Sequence, residues 1–179
     1  LVAWFFSKES VLTGKQDASV QKTIVSEKIE AGTNTSFALS IWVYIGDWSL
    51  YSGTEKVIYS IGNTMSPDLK VSLDKTSPTL LIDTQDIFEL VTVTDMPLQR
   101  WVCLTISLNG SSLDVYINGK LVKTVIANDG ASAFSFTNNT AVLSPGINAS
   151  DGEDGVGFGG YTSRFTYWSS SLTPGEVWN

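Results

Sequence analysis

The stretch that decides the fold runs from Trp101 to Ile126 and reads WVCLTISLNGSSLDVYINGKLVKTVI. Its first part places an apolar residue at every second position, which is typical of a strand with one buried face. A hairpin loop at 109–112 leads into a second strand with the same alternation. Asn118-Gly119 then predicts a type I′ turn, since that turn needs positive φ at both central residues. The return strand is predicted over 121–126.

The rest of the chain follows the same period of two. Phe37, Leu39, Ile41, Val43 and Ile45 alternate with residues that include Trp42 and Tyr44, so we expect this strand to be buried on both faces. Further strands are predicted over 57–61, 69–73, 79–83, 88–94 and 159–168. No amphipathic pattern predicts a helix of more than two turns. We therefore expect an all-β, two-sheet antiparallel sandwich or jelly roll.

Composition excludes several classes of function. The chain has 179 residues, no histidine and one cysteine, and its net charge is −7. Without histidine, Ser-His-Asp and Cys-His catalysis and imidazole metal sites are excluded. An acidic chain without a basic cluster is not expected to bind nucleic acid. Cys103 cannot form an intramolecular disulfide, and its apolar neighbours predict a small buried side chain.

The N-terminal segment favours two interpretations. Leu1 to Phe6 are all apolar, which fits either a first strand tucked into the core or the end of a membrane anchor. We divide the chain into residues 1–36, an apolar stub with a leading strand, and residues 37–179, a β-sandwich.

Three segments resemble a known family. Phe37–Ile45, then 97–107 with the hairpin 113–122, and finally 160–168 with Leu172-Thr-Pro174 are similar to the concanavalin A-like lectin/glucanase fold in its laminin-G-like form. The resemblance covers roughly residues 37–178. It implies a sandwich of the concanavalin A-like type, which agrees with the strand pattern.

Within that fold, the chain most resembles the version found in structural proteins of large DNA viruses of algae. The motifs that carry this closer likeness are 97–101, 113–116, 167–169 and 176–178. The resemblance implies a minor capsid protein of the virion, close to a membrane and anchored through its N-terminus. Its implied partners are other capsid proteins and the viral inner membrane.

Carboxylates are the remaining candidates for catalysis. Retaining glycosidases of this fold use acidic residues at Glu-x-Asp-x-x-Glu spacing. The nearest run here is Asp83, Asp86 and Glu89, in which a spacing of three places successive carboxyls on opposite faces of a strand. We therefore interpret this run as a solvated edge or loop, and we expect no enzymatic activity.

A glycine-rich acidic loop is the candidate metal site. Asp151 and Asp154 supply the hard oxygen ligands that Ca²⁺ prefers, and Asp47 is a weaker candidate. The spacing matches no EF-hand. An ordinary acidic turn is the favoured interpretation, and no cofactor is expected other than this Ca²⁺.

Exposed aromatic rings are the candidate glycan site, because sugars stack on such rings. Trp48 and Tyr51 lie in a predicted loop, where they could form a platform, pack under the loop or meet a neighbouring protein. Trp42, Trp101 and Trp168 lie in strands, and we interpret them as core or inter-sheet packing.

Four acceptor sequons fall in predicted loops, where glycosylation would be tolerated. Their asparagines are Asn34, Asn109, Asn138 and Asn148.

Two functions follow. The first is a non-enzymatic structural domain of a virion. The alternative is an extracellular, glycan-binding lectin module that uses the Trp48–Tyr51 loop, with or without Ca²⁺.

Overall fold

Two antiparallel sheets pack face to face. The structure is a computed structural model, and it describes residues 9–63, 65–131, 133–144 and 156–178. The elements in chain order are β1 (Glu9–Thr13), β2 (Gln16–Asp17), β3 (Lys22–Val25), β4 (Gly32–Thr33), β5 (Ser36–Asp47), β6 (Lys56–Gly62), β7 (Pro67–Leu73), β8 (Leu80–Asp83), β9 (Val91–Val93), β10 (Trp101–Asn109), β11 (Ser112–Ile117), β12 (Lys120–Ile126), β13 (Ser135–Phe136), β14 (Thr140–Leu143), β15 (Gly159–Trp168) and α1 (Pro174–Trp178).

The first sheet has seven strands. Its order is β1-β15-β5-β10-β11-β12, and β2 also pairs with β15. The second sheet has six strands in the order β3-β14-β6-β7-β8-β9, while β4 and β13 form a separate two-stranded pair. β5 lies in the middle of the first sheet, between β10 and β15, so it holds the region described below as the candidate site.

The core lies between the two sheets. Alternation turns one side of each strand inward, and these inward residues are almost wholly buried, from Phe37 to Ile45 in β5 and from Val102 to Leu108 in β10. The rings of Tyr59, in β6, and Phe165, in β15, lie 4.8 Å apart and join the two layers. Burial of these apolar side chains is the main force that holds the sheets together.

The predicted fold class is confirmed. Asn118 and Gly119 have φ of 49° and 78°, which confirms the predicted positive-φ turn between β11 and β12. The strand predicted over 79–83 is observed as β8, whereas the strand predicted over 88–94 is shortened to β9. Its first residue, Phe88, instead donates its N–H to Thr84 Oγ1 and forms an isolated bridge with Ala127.

Residues upstream of Phe37 contribute to both sheets. β1 and β2 pair with β15, and β3 pairs with β14. The sandwich therefore includes residues from Glu9 onward, well before the boundary that the sequence suggests at Phe37. Leu1 to Phe6 lie outside the described residues. Among the residues that are described, no helix has the length and apolar character needed to cross a bilayer.

Candidate functional site

One face of β5 points away from the core. The six-stranded sheet packs against the other face only, so the positions of Ala38, Ser40, Trp42, Tyr44 and Gly46 turn outward. The indole of Trp42 is 38 % exposed. The prediction that β5 is buried on both faces is therefore wrong, because a sandwich covers each sheet on one side.

A groove of about 680 Å³ lies on this outward face. Its floor consists of side chains from β5, β10 and β15, which pair in register there. These are Ser40, Trp42, Cys103, Thr105 and Thr166. The floor thus combines one large aromatic ring with hydroxyl groups.

The C-terminal segment forms one wall of the groove, with Leu172, Glu176, Val177 and Trp178. Ser107 fixes this segment to β10: its Oγ donates to the carbonyl of Leu172 at 3.2 Å and accepts from the Leu172 N–H at 2.9 Å. The N–H of Ser171 also donates to Ser36 Oγ at 2.6 Å. Side-chain hydroxyls of the sheet therefore hold a wall that has no strand pairing of its own.

The β11–β12 turn supports the end of this wall. Gly119 has a φ of +78°, and a Cβ added to it would lie 2.8 Å from the indole of Trp178. A side chain at position 119 would therefore both strain the turn and collide with the indole. Trp178 is 66 % exposed, so its ring is available at the edge of the groove.

The opposite side of the groove carries charges. Arg164 lies at a β-bulge in β15 and has a φ of 48°, which turns its side chain towards the groove lining. Its Nη2 is 3.9 Å from Glu9 Oε1. Exposed ion pairs of this kind contribute little to stability, so both groups can serve as polar contacts for a ligand.

Glu176 is already engaged by its own segment. Its Oε2 accepts from the N–H and Oγ1 of Thr173 at 2.8 and 2.7 Å. These hydrogen bonds lower the pKa of the Glu176 carboxyl, because they stabilise its charged form. Glu176 therefore stays ionised.

Comparison with known families identifies the fold. Residues 17–178 match the family model described as the concanavalin A-like lectin/glucanases superfamily. The chain belongs to this superfamily. The expected laminin-G-like and concanavalin A-like character is thereby confirmed, whereas the closer viral likeness stays a prediction. No curated protein matches the sequence.

Several solved structures share the fold. The ligand-binding domain of botulinum neurotoxin serotype D, in complex with N-acetylneuraminic acid, has a TM-score of 0.69 at 14 % identity, over 96 % of this chain and 44 % of that one. The serotype G receptor-binding domain has a TM-score of 0.61 at 20 % identity, over 92 % and 40 %. This lectin/glucanase-family domain spans less than half of each structure. The likeness is therefore one of fold and does not transfer the position of a ligand.

The strand tryptophans do not pack between the sheets of this lectin/glucanase-family domain. Trp101 is 39 % exposed, and half-buried Trp168 lines the groove. Both residues pair with outward positions of β5, Tyr44 and Ala38 respectively. The prediction that Trp42, Trp101 and Trp168 are core is wrong, because they occupy the uncovered phase of the alternation.

The Trp48–Tyr51 loop does not form an open platform. Trp48 packs against the core, and Lys56 Nζ lies 4.6 Å from the centre of its ring. Lys56 is fully buried, and its Nζ donates to the carbonyls of Tyr51 at 3.1 Å and Thr54 at 3.4 Å. Burial lowers the pKa of Lys56. The loop is therefore built around an internal ammonium, with Trp48 beneath it.

Cys103 is half-buried rather than fully buried. It occupies an outward position in β10 and lines the groove. Its Sγ lies 3.4 Å from Ser40 Oγ and 3.9 Å from Thr105 Oγ1. The expectation of a small buried hydrophobe is wrong for the same reason as for the tryptophans.

Acidic residues do not converge in the part of the chain that the structure describes, where no group of three or more could hold a metal ion. Asp83 is half-buried, and Asp86 and Glu89 are exposed. Asp47 Oδ1 accepts from the N–H and Oγ of Ser49 at 2.8 and 2.7 Å, so it closes a local turn. Asp151 and Asp154 lie outside the described residues.

The sequons differ in accessibility. Asn34 is only 6 % exposed, and its Nδ2 donates to the carbonyls of Glu30 and Gly32. The expectation that this side chain tolerates a glycan in the folded protein is wrong. Asn109 is exposed, Asn138 is half-buried and accepts from the Thr140 N–H at 2.9 Å, and Asn148 lies outside the described residues.

Sequence reasoning missed most of the groove. Glu9, Asn118, Arg164 and Trp178 line it, yet they lie in different parts of the chain. No local motif joins them. The local signal for the groove was Trp42. It lies in a strand whose inward positions are already filled by other apolar residues.

Proposed function

We propose that this lectin/glucanase-family domain binds glycan in the groove over β5. The observation that carries the proposal is the exposed indole of Trp42 on a floor of hydroxyl groups, with Trp168 and Trp178 at its borders. A sugar ring presents an apolar C–H face and a rim of hydroxyls. Ligand sites of this kind combine flat aromatic surface with a few placed polar groups.

The polar groups of the groove suit the rim of a sugar. Ser40 supplies a half-buried hydroxyl, and Arg164 supplies guanidinium donors. Thr105 and Thr166 are 3 % exposed and donate to Ser40 Oγ and the Arg164 carbonyl, so they hold the floor of the groove in place. Glu9 adds a carboxylate acceptor. The site therefore differs from the Trp48–Tyr51 platform that the sequence suggested, while the class of ligand is the same.

We propose binding without hydrolysis. Of the two carboxylates in the lining, Glu176 is ionised and held by Thr173, whereas a glycosidase acid needs a raised pKa. Glu9 lies beside Arg164. This arrangement supports a module that holds glycan rather than one that cleaves it.

The test is a glycan array that includes linear polysaccharide fragments and N-acetylneuraminic acid-terminated chains, followed by calorimetry on the best ligand. We expect saturable binding that Trp42→Ala weakens tenfold or more, about 1.4 kcal/mol. Trp42→Phe keeps a stacking ring and should retain most of the affinity. Leu90→Ala is the matched control, because Leu90 is 55 % exposed and precedes β9 of the other sheet.

Absence of binding to every glycan, or equal affinity of the wild type and Trp42→Ala, would contradict this proposal. Incubation of the ligand with the protein should release no shorter product, and release of product would contradict the non-catalytic part alone.

A structural role in a virion stays a prediction that follows from the sequence resemblance. It places the domain at fixed stoichiometry in purified particles, resistant to release by high salt. Neither outcome of that measurement changes the glycan assay, because a capsid domain can also hold glycan.

A further inference from the structure

The charges in the groove do not cancel. The charged residues that line it, within the described part of the chain, are Glu9, Arg164 and Glu176. Arg164 Nη2 lies 3.9 Å from Glu9 Oε1, so the charges of these two groups largely offset each other. Glu176 forms no ion pair with the described basic side chains. The groove therefore keeps a net negative charge on its C-terminal wall.

The Glu176 carboxylate is held in place before any ligand arrives. Both hydrogen bonds from Thr173 reach the same oxygen, Oε2. The other oxygen, Oε1, accepts no hydrogen bond from the residues that the structure describes. The lowered pKa of Glu176 keeps this carboxylate ionised above pH 4.5. A charged group whose orientation is already fixed loses little entropy when it binds a ligand.

The basic side chains of β12 leave this negative charge in place. Lys120 and Lys123 pair with Ile117 and Val115, whose side chains contribute to the core. Residues that pair directly across two strands share a face of the sheet, so both lysines belong to the face opposite the groove. Asp114 instead pairs with Ser107 on the groove side and adds a carboxylate there.

The indole rings of the groove are available to a cation. Trp42, Trp168 and Trp178 line it, and the face of an indole attracts positive charge. Two lysine ammonium groups elsewhere in the chain lie over aromatic rings, 4.6 and 4.1 Å from the ring centres. Among the described residues, no such contact involves a groove indole. Trp42 and Trp178 are 38 % and 66 % exposed, so a ligand can reach them.

We propose that the groove prefers a sugar that carries an ammonium group, namely a hexosamine whose amine is not acetylated. This inference rests on the proposed function and adds the charge class of the ligand. Trp42 contacts the ring of any bound sugar, whereas Glu176 attracts the ammonium group alone. A uronic acid brings a further carboxylate to a groove that is already negative, so it binds most weakly.

The test uses calorimetry at low ionic strength and mildly acidic pH, where the sugar amine is protonated. The probes are tetrasaccharides of gluco, galacto and manno configuration, each as the free amine, the N-acetylated form and the uronic acid. We expect the amine form to bind about threefold to tenfold more tightly than the N-acetylated form. High salt should reduce this preference, because it screens exposed charges. A lysine-containing tetrapeptide is the probe for a protein partner.

Glu176→Gln removes the charge and keeps an oxygen that can accept from Thr173. It should abolish the preference for the amine form. Asp129→Asn is the matched control, because Asp129 is exposed and lies outside the groove lining, and it should keep the preference. Hydrogen exchange in residues 171–178 should verify that the wall of Glu176→Gln stays in place.

The outcomes separate this inference from the proposed function. Equal affinity for the amine and N-acetylated forms, tightest binding of a uronic acid, or a preference that survives Glu176→Gln overturns the charge preference and leaves the glycan site in place. Binding of none of these probes, while the glycan array shows a ligand, also overturns this inference alone. Absence of binding to any glycan overturns both. Binding of the lysine peptide without any sugar assigns the groove to a protein partner and overturns both.

Discussion

At the scale of single residues, Gly119 has two structural roles. Its φ of +78° closes the β11–β12 turn, and its missing side chain leaves room for the Trp178 indole. Gly110, in the β10–β11 turn, has a φ of +60° but nothing within 4 Å of an added Cβ. An alanine at Gly110 would therefore add backbone strain alone, whereas an alanine at Gly119 would add both strain and a steric clash.

We expect Gly110→Ala to lower the free energy of unfolding by about 1–2 kcal/mol, because alanine is strained at positive φ. Gly119→Ala should cost more than Gly110→Ala, since its methyl group also displaces Trp178, and it should weaken glycan binding. Urea unfolding and calorimetry measure the two effects. Equal costs in the two variants, with unchanged binding, would contradict the supporting role of Gly119.

Trp42 shows the limit of reading single residues from sequence. A large apolar residue inside an apolar strand predicts burial, and the inward residues of β5 confirm that expectation. Trp42 belongs to the opposite phase of the same strand. Its exposure in the folded protein therefore indicates a binding site. From the sequence alone, Trp42 is predicted to be a core residue.

At the scale of elements, the C-terminal segment depends on the sheet that it covers. α1 has five residues and no buried side chain, too short to be stable alone. Ser107 is 2 % exposed and supplies both a donor and an acceptor to Leu172. The buried hydroxyl of Ser107 therefore helps to fix the groove wall, together with Ser36 and the β11–β12 turn.

Ser107→Ala should release this wall. It removes both hydrogen bonds to Leu172, which costs about 1–3 kcal/mol for the pair. Hydrogen exchange should accelerate in residues 169–178 while β5 and β10 stay protected. Ser52→Ala, in the exposed loop between β5 and β6, is the matched control. Unchanged exchange in the C-terminal segment of Ser107→Ala would show that other contacts hold the wall.

At the scale of the whole molecule, buried tyrosines make the stability of the folded protein depend on pH. Burial raises the pKa values of Tyr59, Tyr116 and Tyr167. A raised pKa means that the folded protein keeps a proton that the unfolded chain loses above pH 10.0. The stabilisation is thus complete below that pH and declines as pH rises through it.

The free energy of unfolding should therefore fall above about pH 10, by up to about 1.4 kcal/mol per pH unit for each tyrosine. Tyr59→Phe should remove one such contribution and flatten the decline. Urea midpoints between about pH 9 and 11 measure it. Lys56, whose lowered pKa gives stability the opposite slope, is present in both proteins and cancels. Parallel declines would contradict the assignment to Tyr59.

The amino-acid sequence by itself determined the two-layer fold. The alternation over 101–108 and the turn at Asn118-Gly119 depend on neighbours in the chain, and local backbone preferences decide them. The resemblance at 37–45 and 97–122 likewise led to the correct superfamily.

Only the tertiary structure decided where a ligand could bind. Alternation divides each strand into two faces, but the packing of the second sheet determines which face is covered and which stays open. The groove then joins Glu9, Trp42, Arg164 and Trp178, residues from four distant places in the chain. Their proximity follows from strand order and from the docking of the C-terminal segment, neither of which leaves a pattern in neighbouring residues.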